Sequence, residues 1–206
     1  MDQIEFENQI EIAVSLQKAG KFEEAKLIYE SLLNNRSNSF KVLYLLGTLE
    51  AQCYNFNKSL NYLIKANKIN SNSWEVNSNI GNVYVEINEY KKAIKFYSKA
   101  IKINPNNSKL FYNLGSAYKQ LNQYDNALSE FQQALLINPS NTSACLQIAI
   151  LQAKLEQYEK AFVNFRKLIH LDPENPEFYF QYGIALVLRK NFEDAINYGR
   201  NYPELV

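Results

Sequence analysis

Histidine, tryptophan and methionine each occur once in 206 residues, and cysteine occurs twice. The two cysteines, Cys53 and Cys145, stand far apart, which excludes a disulfide framework and any zinc-ligand spacing and fits a reducing compartment. No apolar run approaches the length that spans a bilayer. Charge of one sign is also missing: 22 Lys and Arg against 21 Asp and Glu leave a net +1. Basic residues are dispersed, so neither nucleic acid nor an anionic membrane is expected as a partner. The start, Met1-Asp2-Gln3-Ile4-Glu5, is acidic and lacks the basic-then-apolar pattern of a secretory signal. A cytoplasmic location is expected. Asn is abundant but scattered among regular apolar positions, and we read it as codon bias rather than a prion-like tract.

Catalytic patterns are missing too. There is no Gly-rich phosphate loop, no HExxH and no paired carboxylates by spacing. His170 has no second ligand for a metal and no Ser or Cys at triad spacing, and its place near a helix end suits the helix dipole. Cys145 reads as a small buried hydrophobe, and Cys53 as a more exposed thiol. Acidic residues such as Glu23, Glu24, Glu159 and Glu193 fall on solvent faces. The aromatics read as core rather than as base-stacking platforms, because no basic stripe accompanies them. The chain is expected to be no enzyme and to need no cofactor or metal.

What is present is a period. Gly47, Gly81 and Gly115 lie 34 residues apart, and the same step reaches Ala13, Ala149 and Gly183. A second ladder runs Ala25, Ser59, Ala93, Ala127, Ala161 and Ala195. A third runs Phe22, Phe56, Tyr90, Tyr124, Tyr158 and Phe192. Three series share one period without insertion or deletion. With the glycine at position 8, the repeats are 6–39, 40–73, 74–107, 108–141, 142–175 and a shortened 176–206. The whole, 1–206, is expected to be a single array.

Each repeat carries apolar residues at 3- and 4-residue spacing twice, as two amphipathic helices require. In 108–141 helix A carries Phe111, Leu114, Gly115 and Tyr118, and helix B carries Tyr124, Ala127, Leu128, Phe131, Ala134 and Leu135. Gly20, Asn88 and Asn122 share the link between helices, a place that suits the left-handed conformation. Asn104-Pro105, Asn138-Pro139 and Asp172-Pro173 stop helix B. Small residues at positions 8 and 20 let the helices approach, with aromatics filling the space around them. Stacked pairs bury what one pair cannot, so the fold class is an all-α solenoid. Gln9, Ser37, Glu50, Leu63 and Cys145 depart from the pattern as tolerated variants.

The last repeat departs further. Helix B begins with Phe192 and Ala195, then meets Gly199 and Pro203, and is expected to stop near Gly199 or Asn201. With no polar capping helix after it, the chain is expected either to be the N-terminal part of a longer protein or to cover that end by homo-oligomer formation.

The positions occupied by Phe111, Leu114, Gly115, Tyr118, Tyr124, Ala127, Phe131, Ala134 and Pro139 make this sequence similar to the tetratricopeptide repeat family over nearly every residue. That resemblance implies a right-handed superhelix whose concave face is lined by helix A at positions 2, 5, 6, 9, 12 and 13. Position 6 reads Glu11, Leu45, Asn79, Asn113, Gln147 and Gln181. Position 9 adds Thr48, Asn82 and Ser116. Position 5 adds Tyr44, Ser78, Tyr112, Leu146 and Phe180, and position 2 adds Lys41, Lys109, Glu75 and Glu177. A carboxamide is both donor and acceptor, so the position-6 series could hold a peptide backbone without reading its side chains. The peptide-binding set expected is Tyr44, Thr48, Ser78, Asn79, Asn82, Lys109, Tyr112, Asn113, Ser116, Gln147 and Gln181. The position-6 series also resembles the asparagine ladder of O-linked N-acetylglucosamine transferases. The alternative it implies is a substrate-presenting region whose catalytic domain lies outside this chain. Asn82, Lys109 and Asn113 are fragments of the two-carboxylate clamp of chaperone-tail binders. Position 5 is Ser78 and no Arg occupies position 6, so that mode is rejected. The expected role is a scaffold for a protein or peptide, with a homo-oligomeric assembly factor as a further alternative.

Overall fold

A computed structural model describes residues 1–190 of the chain. Among them are eleven helices and no strand. Phe192, Glu193, Ala195, Gly199 and Pro203, on which the expected end of the last repeat depends, lie outside the described residues. No helix among the described residues is long and apolar enough to cross a membrane.

The repeat register is written into the helix starts. Helix A begins at the first residue of a repeat in α3 (Phe40–Gln52), α5 (Trp74–Glu86), α7 (Ser108–Gln120), α9 (Thr142–Lys154) and α11 (Pro176–Leu188). Helix B begins at position 17 in α2 (Phe22–Asn35), α4 (Phe56–Ile69), α6 (Tyr90–Ile103), α8 (Tyr124–Ile137) and α10 (Tyr158–Leu171). The first helix, α1 (Gln3–Lys18), starts three residues ahead of its repeat and is capped by Asp2, whose carboxylate accepts from Glu5 N–H at 2.8 Å.

Side chains at position 34 start helix A. Ser39, Ser73, Asn107, Asn141 and Asn175 each accept a hydrogen bond from a backbone N–H in the first turn. That meets one of the four donors a helix start leaves unpaired. Part of the Asn content read as codon bias therefore has structural work.

Helix A ends by a Schellman motif in α1, α3, α5, α7 and α9. The position-16 N–H bonds back to the position-11 carbonyl: Lys21 to Leu16, Asn55 to Glu50, Glu89 to Tyr84, Gln123 to Tyr118 and Gln157 to Gln152, all at 2.8–3.0 Å. The intervening residue has positive φ: Gly20 (77°), Asn88 (60°) and Asn122 (58°), as expected, but also Tyr54 (60°), Glu156 (60°) and Lys190 (65°). Helix B ends at Asn104, Asn138 and Asp172, each directly before a proline.

The described chain forms two compact units, one spanning Met1–Pro105 and one beginning at Asn106. In the first, α1 packs on α2, α3 on α4 and α5 on α6, and the A helices of successive repeats also touch. Phe6, Ile10, Ala13, Ala25, Tyr29, Leu32 and Leu46 form one core cluster. Leu43, Leu63, Ala66, Val76, Ile80 and Val83 form the next. In the second unit α7 packs on α8, α9 on α10 and α10 on α11. Its clusters centre on Phe131, Ile148 and Leu151, and on Phe165, Leu168, Phe178 and Tyr182.

Within a repeat the closest approach is at position 8. A Cβ on Gly115 would lie 2.9 Å from the Phe131 ring and 3.1 Å from the Ala127 carbonyl oxygen. At Gly81 it would meet the Tyr97 ring at 2.7 Å, and at Gly47 the Leu63 side chain at 2.7 Å. The second repeat, with Ser59 in place of alanine, adds a buried hydrogen bond from the Ser59 hydroxyl to the Gly47 carbonyl at 2.7 Å. Gly115→Leu is expected to destabilise the fold by about 1–3 kcal/mol, because four added carbons cannot be seated without moving Phe131. Gly115→Ala should cost less, since Ala13 and Ala149 occupy the same place. Glu156→Gly should stabilise by about 0.5–1 kcal/mol, the left-handed penalty of a side chain less the chain entropy of glycine. Urea unfolding followed by circular dichroism measures all three.

Candidate functional site

Helix A of each complete repeat packs one face on helix B, and position 6 lies on another, half-buried to exposed. In the first unit α3 and α5 border a cleft of about 230 Å³. Thr48, Gln52, Asn79 and Asn82 supply its polar lining, with buried Leu63 and Val83 behind them. Three of these four polar residues belong to the set expected from the sequence.

Their hydrogen bonds show what each has left to offer. The Thr48 hydroxyl donates to the Leu45 carbonyl at 2.7 Å, within its own helix, and keeps its acceptor capacity. Asn79 donates through Nδ2 to the Tyr44 hydroxyl at 3.3 Å. This fixes the amide across the α3–α5 joint and leaves its oxygen and second N–H available. Tyr44 stacks on Phe40 with centroids 6.4 Å apart, and its phenol pKa is pushed up, chiefly by burial. The Asn82 oxygen accepts from the Tyr97 hydroxyl at 2.7 Å, and burial holds that phenol far above its usual value of 10.0. Gln52 accepts from the Gln17 amide at 2.7 Å, and Gln17 in turn accepts from the Tyr29 hydroxyl at 3.0 Å.

Ser78 is a correction. It lies at 8% exposure on α5. It cannot join the open face.

In the second unit Lys109 is exposed on α7, while Asn113 and Ser116 are half-buried. Tyr112 is half-buried with its ring 5.3 Å from that of Phe131, so it serves packing as well as surface. Gln147 on α9 accepts from the Lys119 ammonium at 2.6 Å. Gln181 on α11 donates to Glu177 at 2.8 Å. Asn79, Gln147 and Gln181 are therefore already oriented by protein partners. The sequence reading missed Gln17, Gln52 and Lys119, which lie at positions 12 and 13. Those positions were implied as ligand-facing, but the contacts across repeats have no signature in the helical period.

Groups that could suggest chemistry have structural explanations. Glu50 is fully buried and is the one buried charged residue among those described. Its carboxylate meets the Lys26 ammonium at 3.0 Å and accepts from Asn55 Nδ2 at 2.8 Å. His170 is exposed in the last turn of α10. Cys145 is buried, and Cys53 is half-buried with its thiol pKa raised by burial and by Glu50, the reverse of a reactive thiolate. Among the described residues no group of three His, Cys, Asp or Glu could hold a metal.

The Glu50 hydrogen bond, partly opposed by burial, raises the Lys26 pKa above its ordinary 10.5. A raised lysine stabilises the fold fully below about pH 10.5, and that contribution is lost as pH rises through the folded-state value. Lys26→Met is expected to destabilise by about 3 kcal/mol at neutral pH, since the Glu50 carboxylate would stay buried without its partner. The variant should also lose the wild type's extra decline above pH 10.5, which thermal unfolding across pH 8–11 would record.

Four family profiles match the sequence. Their descriptions are tetratricopeptide repeat at residues 8–39, 108–141 and 146–205, and TPR repeat at 81–122. No curated protein matches. Among solved structures, a tetratricopeptide repeat protein from Parabacteroides merdae aligns with TM-score 0.83 at 21% identity, covering 95% of this chain and 78% of that one. Pseudomonas aeruginosa PilF aligns with TM-score 0.79 at 20% identity, covering 96% and 92%. YrrB, described as a TPR protein with an unusual peptide-binding site, aligns with TM-score 0.71 at 24% identity, covering 82% and 88%.

Proposed function

The chain is an array of tetratricopeptide repeats, and from that premise we propose that it is a protein-interaction scaffold that holds an extended peptide or a partner helix along the open face of its A helices. The observation that carries this reading is Asn79. Its amide is clamped by Tyr44 at 3.3 Å, borders a cleft of about 230 Å³, and retains both a donor and an acceptor for a ligand. An amide held in place loses little freedom on binding, so more of its hydrogen-bond energy appears as affinity.

Three further features support the reading. Thr48 and Gln52 border the same cleft, so polar groups from two successive A helices face one ligand path. The second unit repeats the theme with Asn113, Ser116 and Gln147 on α7 and α9. A solved neighbour, YrrB, is described as peptide-binding, which agrees with this use of the fold.

The double variant Asn79→Ala with Asn113→Ala should weaken partner binding about tenfold or more, at roughly 1 kcal/mol for each lost hydrogen bond. Helicity should be unchanged. The partner would be captured by pull-down with mass spectrometry and its affinity measured by calorimetry. Equal affinity in the variant and the wild type would overturn the reading, and loss of helicity would assign the two residues to the fold.

A further inference from the structure

Between the first two repeats, position 12 of one A helix meets position 13 of the next. In α1 and α3 this pair is Gln17 and Gln52, which share a hydrogen bond of 2.7 Å. In α7 and α9 the same positions hold Lys119 and Lys154, near enough that the charge of one acts on the other. Two carboxamides satisfy each other because each is donor and acceptor. Two ammoniums offer only donors, and they repel.

The surroundings do not relieve that conflict. Lys119 is half-buried, and its Nζ bonds to Oε1 of Gln147 at 2.6 Å. Burial and then the Lys154 charge hold its pKa below the ordinary 10.5. The Lys154 ammonium lies 4.5 Å from the centroid of the Tyr124 ring, which steadies it without neutralising it. Among the described residues neither lysine belongs to an ion pair, whereas Lys26 and Arg189 do. With its oxygen occupied by Lys119, Gln147 presents its Nε2 hydrogens as donors.

Two positive charges and a donor amide therefore lie at the α7–α9 joint, with no ion-pair partner for either lysine among the described residues. An unmodified peptide offers one matching group, a carboxylate, from an Asp or Glu side chain or from its C-terminus. We propose that Lys119, Lys154 and the Gln147 carboxamide form a receptor for a carboxylate of the bound peptide. This rests on the peptide-binding reading and adds a chemical preference to it. The backbone is held by amides, and an acidic group is read at the α7–α9 joint.

Three tetrapeptide probes test it by amide chemical-shift titration of the whole chain. One has blocked ends, three alanines and a glutamate. The second has glutamine in place of glutamate. The third is tetra-alanine with a free C-terminal carboxylate. The expected result is shifts at Lys119, Gln147 and Lys154, with at least one carboxylate probe binding about fivefold or more tighter than the glutamine probe. Which carboxylate probe binds identifies the source of the group. The preference should vanish in Lys119→Gln and in Lys154→Gln, two variants that each remove one charge, with helicity retained in at least one. Equal affinity of both carboxylate probes and the glutamine probe, or no shift with any probe, overturns the proposal. Equal affinity would leave peptide binding itself intact, and the Asn79/Asn113 double variant judges that separately.

Discussion

The structure depends on one contact, made again in each complete repeat: a small residue at position 8 of helix A lies against the side chain at position 24 of helix B. Tyr29, Leu63, Tyr97, Phe131 and Phe165 fill position 24 and are all at 2% exposure or less. With glycine or alanine opposite, the large side chain can lie flat on the backbone of helix A. The two helices then sit close enough for every other core residue to reach its neighbour. Packing at this density leaves almost no room for an added methyl group. That explains why the position-8 ladder is the most regular feature of the chain and why the side chains around it vary more freely.

A close pair is useful only if every pair is set at the same phase. The turn between the helices provides that. Two backbone hydrogen bonds close helix A, and a left-handed residue reverses the chain, whatever its side chain. Tyr54 and Glu156 accept a conformation that costs a side chain about 1–2 kcal/mol, because the bonds on either side and the docked helices outweigh it. At Asn88 and Asn122 the cost is reduced, and the hydroxyls of Tyr90 and Tyr124 also grip the asparagine side chains. Position 34 then starts the next helix with a serine or asparagine cap. Turn and cap together fix the 34-residue step, so residues at equal positions meet equal neighbours.

This is also why the fold was so legible in the sequence while the candidate site was only partly so. A helix start, a helix stop and a small-residue ladder are local signals, and α3 to α11 begin where the period says. Side-chain identity at a given position was less informative. Glu50 read as a tolerated variant, but it is a buried carboxylate whose partner, Lys26, belongs to the preceding repeat. Ser78 read as a surface residue, but it is buried. The asparagines at 107, 141 and 175 read as compositional bias, but they are caps. The Glu50 contact reaches into another repeat and leaves no periodic trace, whereas the caps recur with the period but are masked by the abundance of asparagine elsewhere.

Such a frame separates stability from recognition. The contact at position 8, the turn and the cap use backbone groups and buried side chains, and they leave the open face of helix A free to vary. Equivalent positions in the repeats can then carry opposite chemistry. At one joint, Gln17 and Gln52 bond to each other and need nothing more. At the equivalent joint, Lys119 and Lys154 bring two positive charges together, although the chain as a whole carries a net charge of only +1. Overall composition therefore says little about what the surface binds. The charge that matters is the one left over at a joint where like charges act on each other.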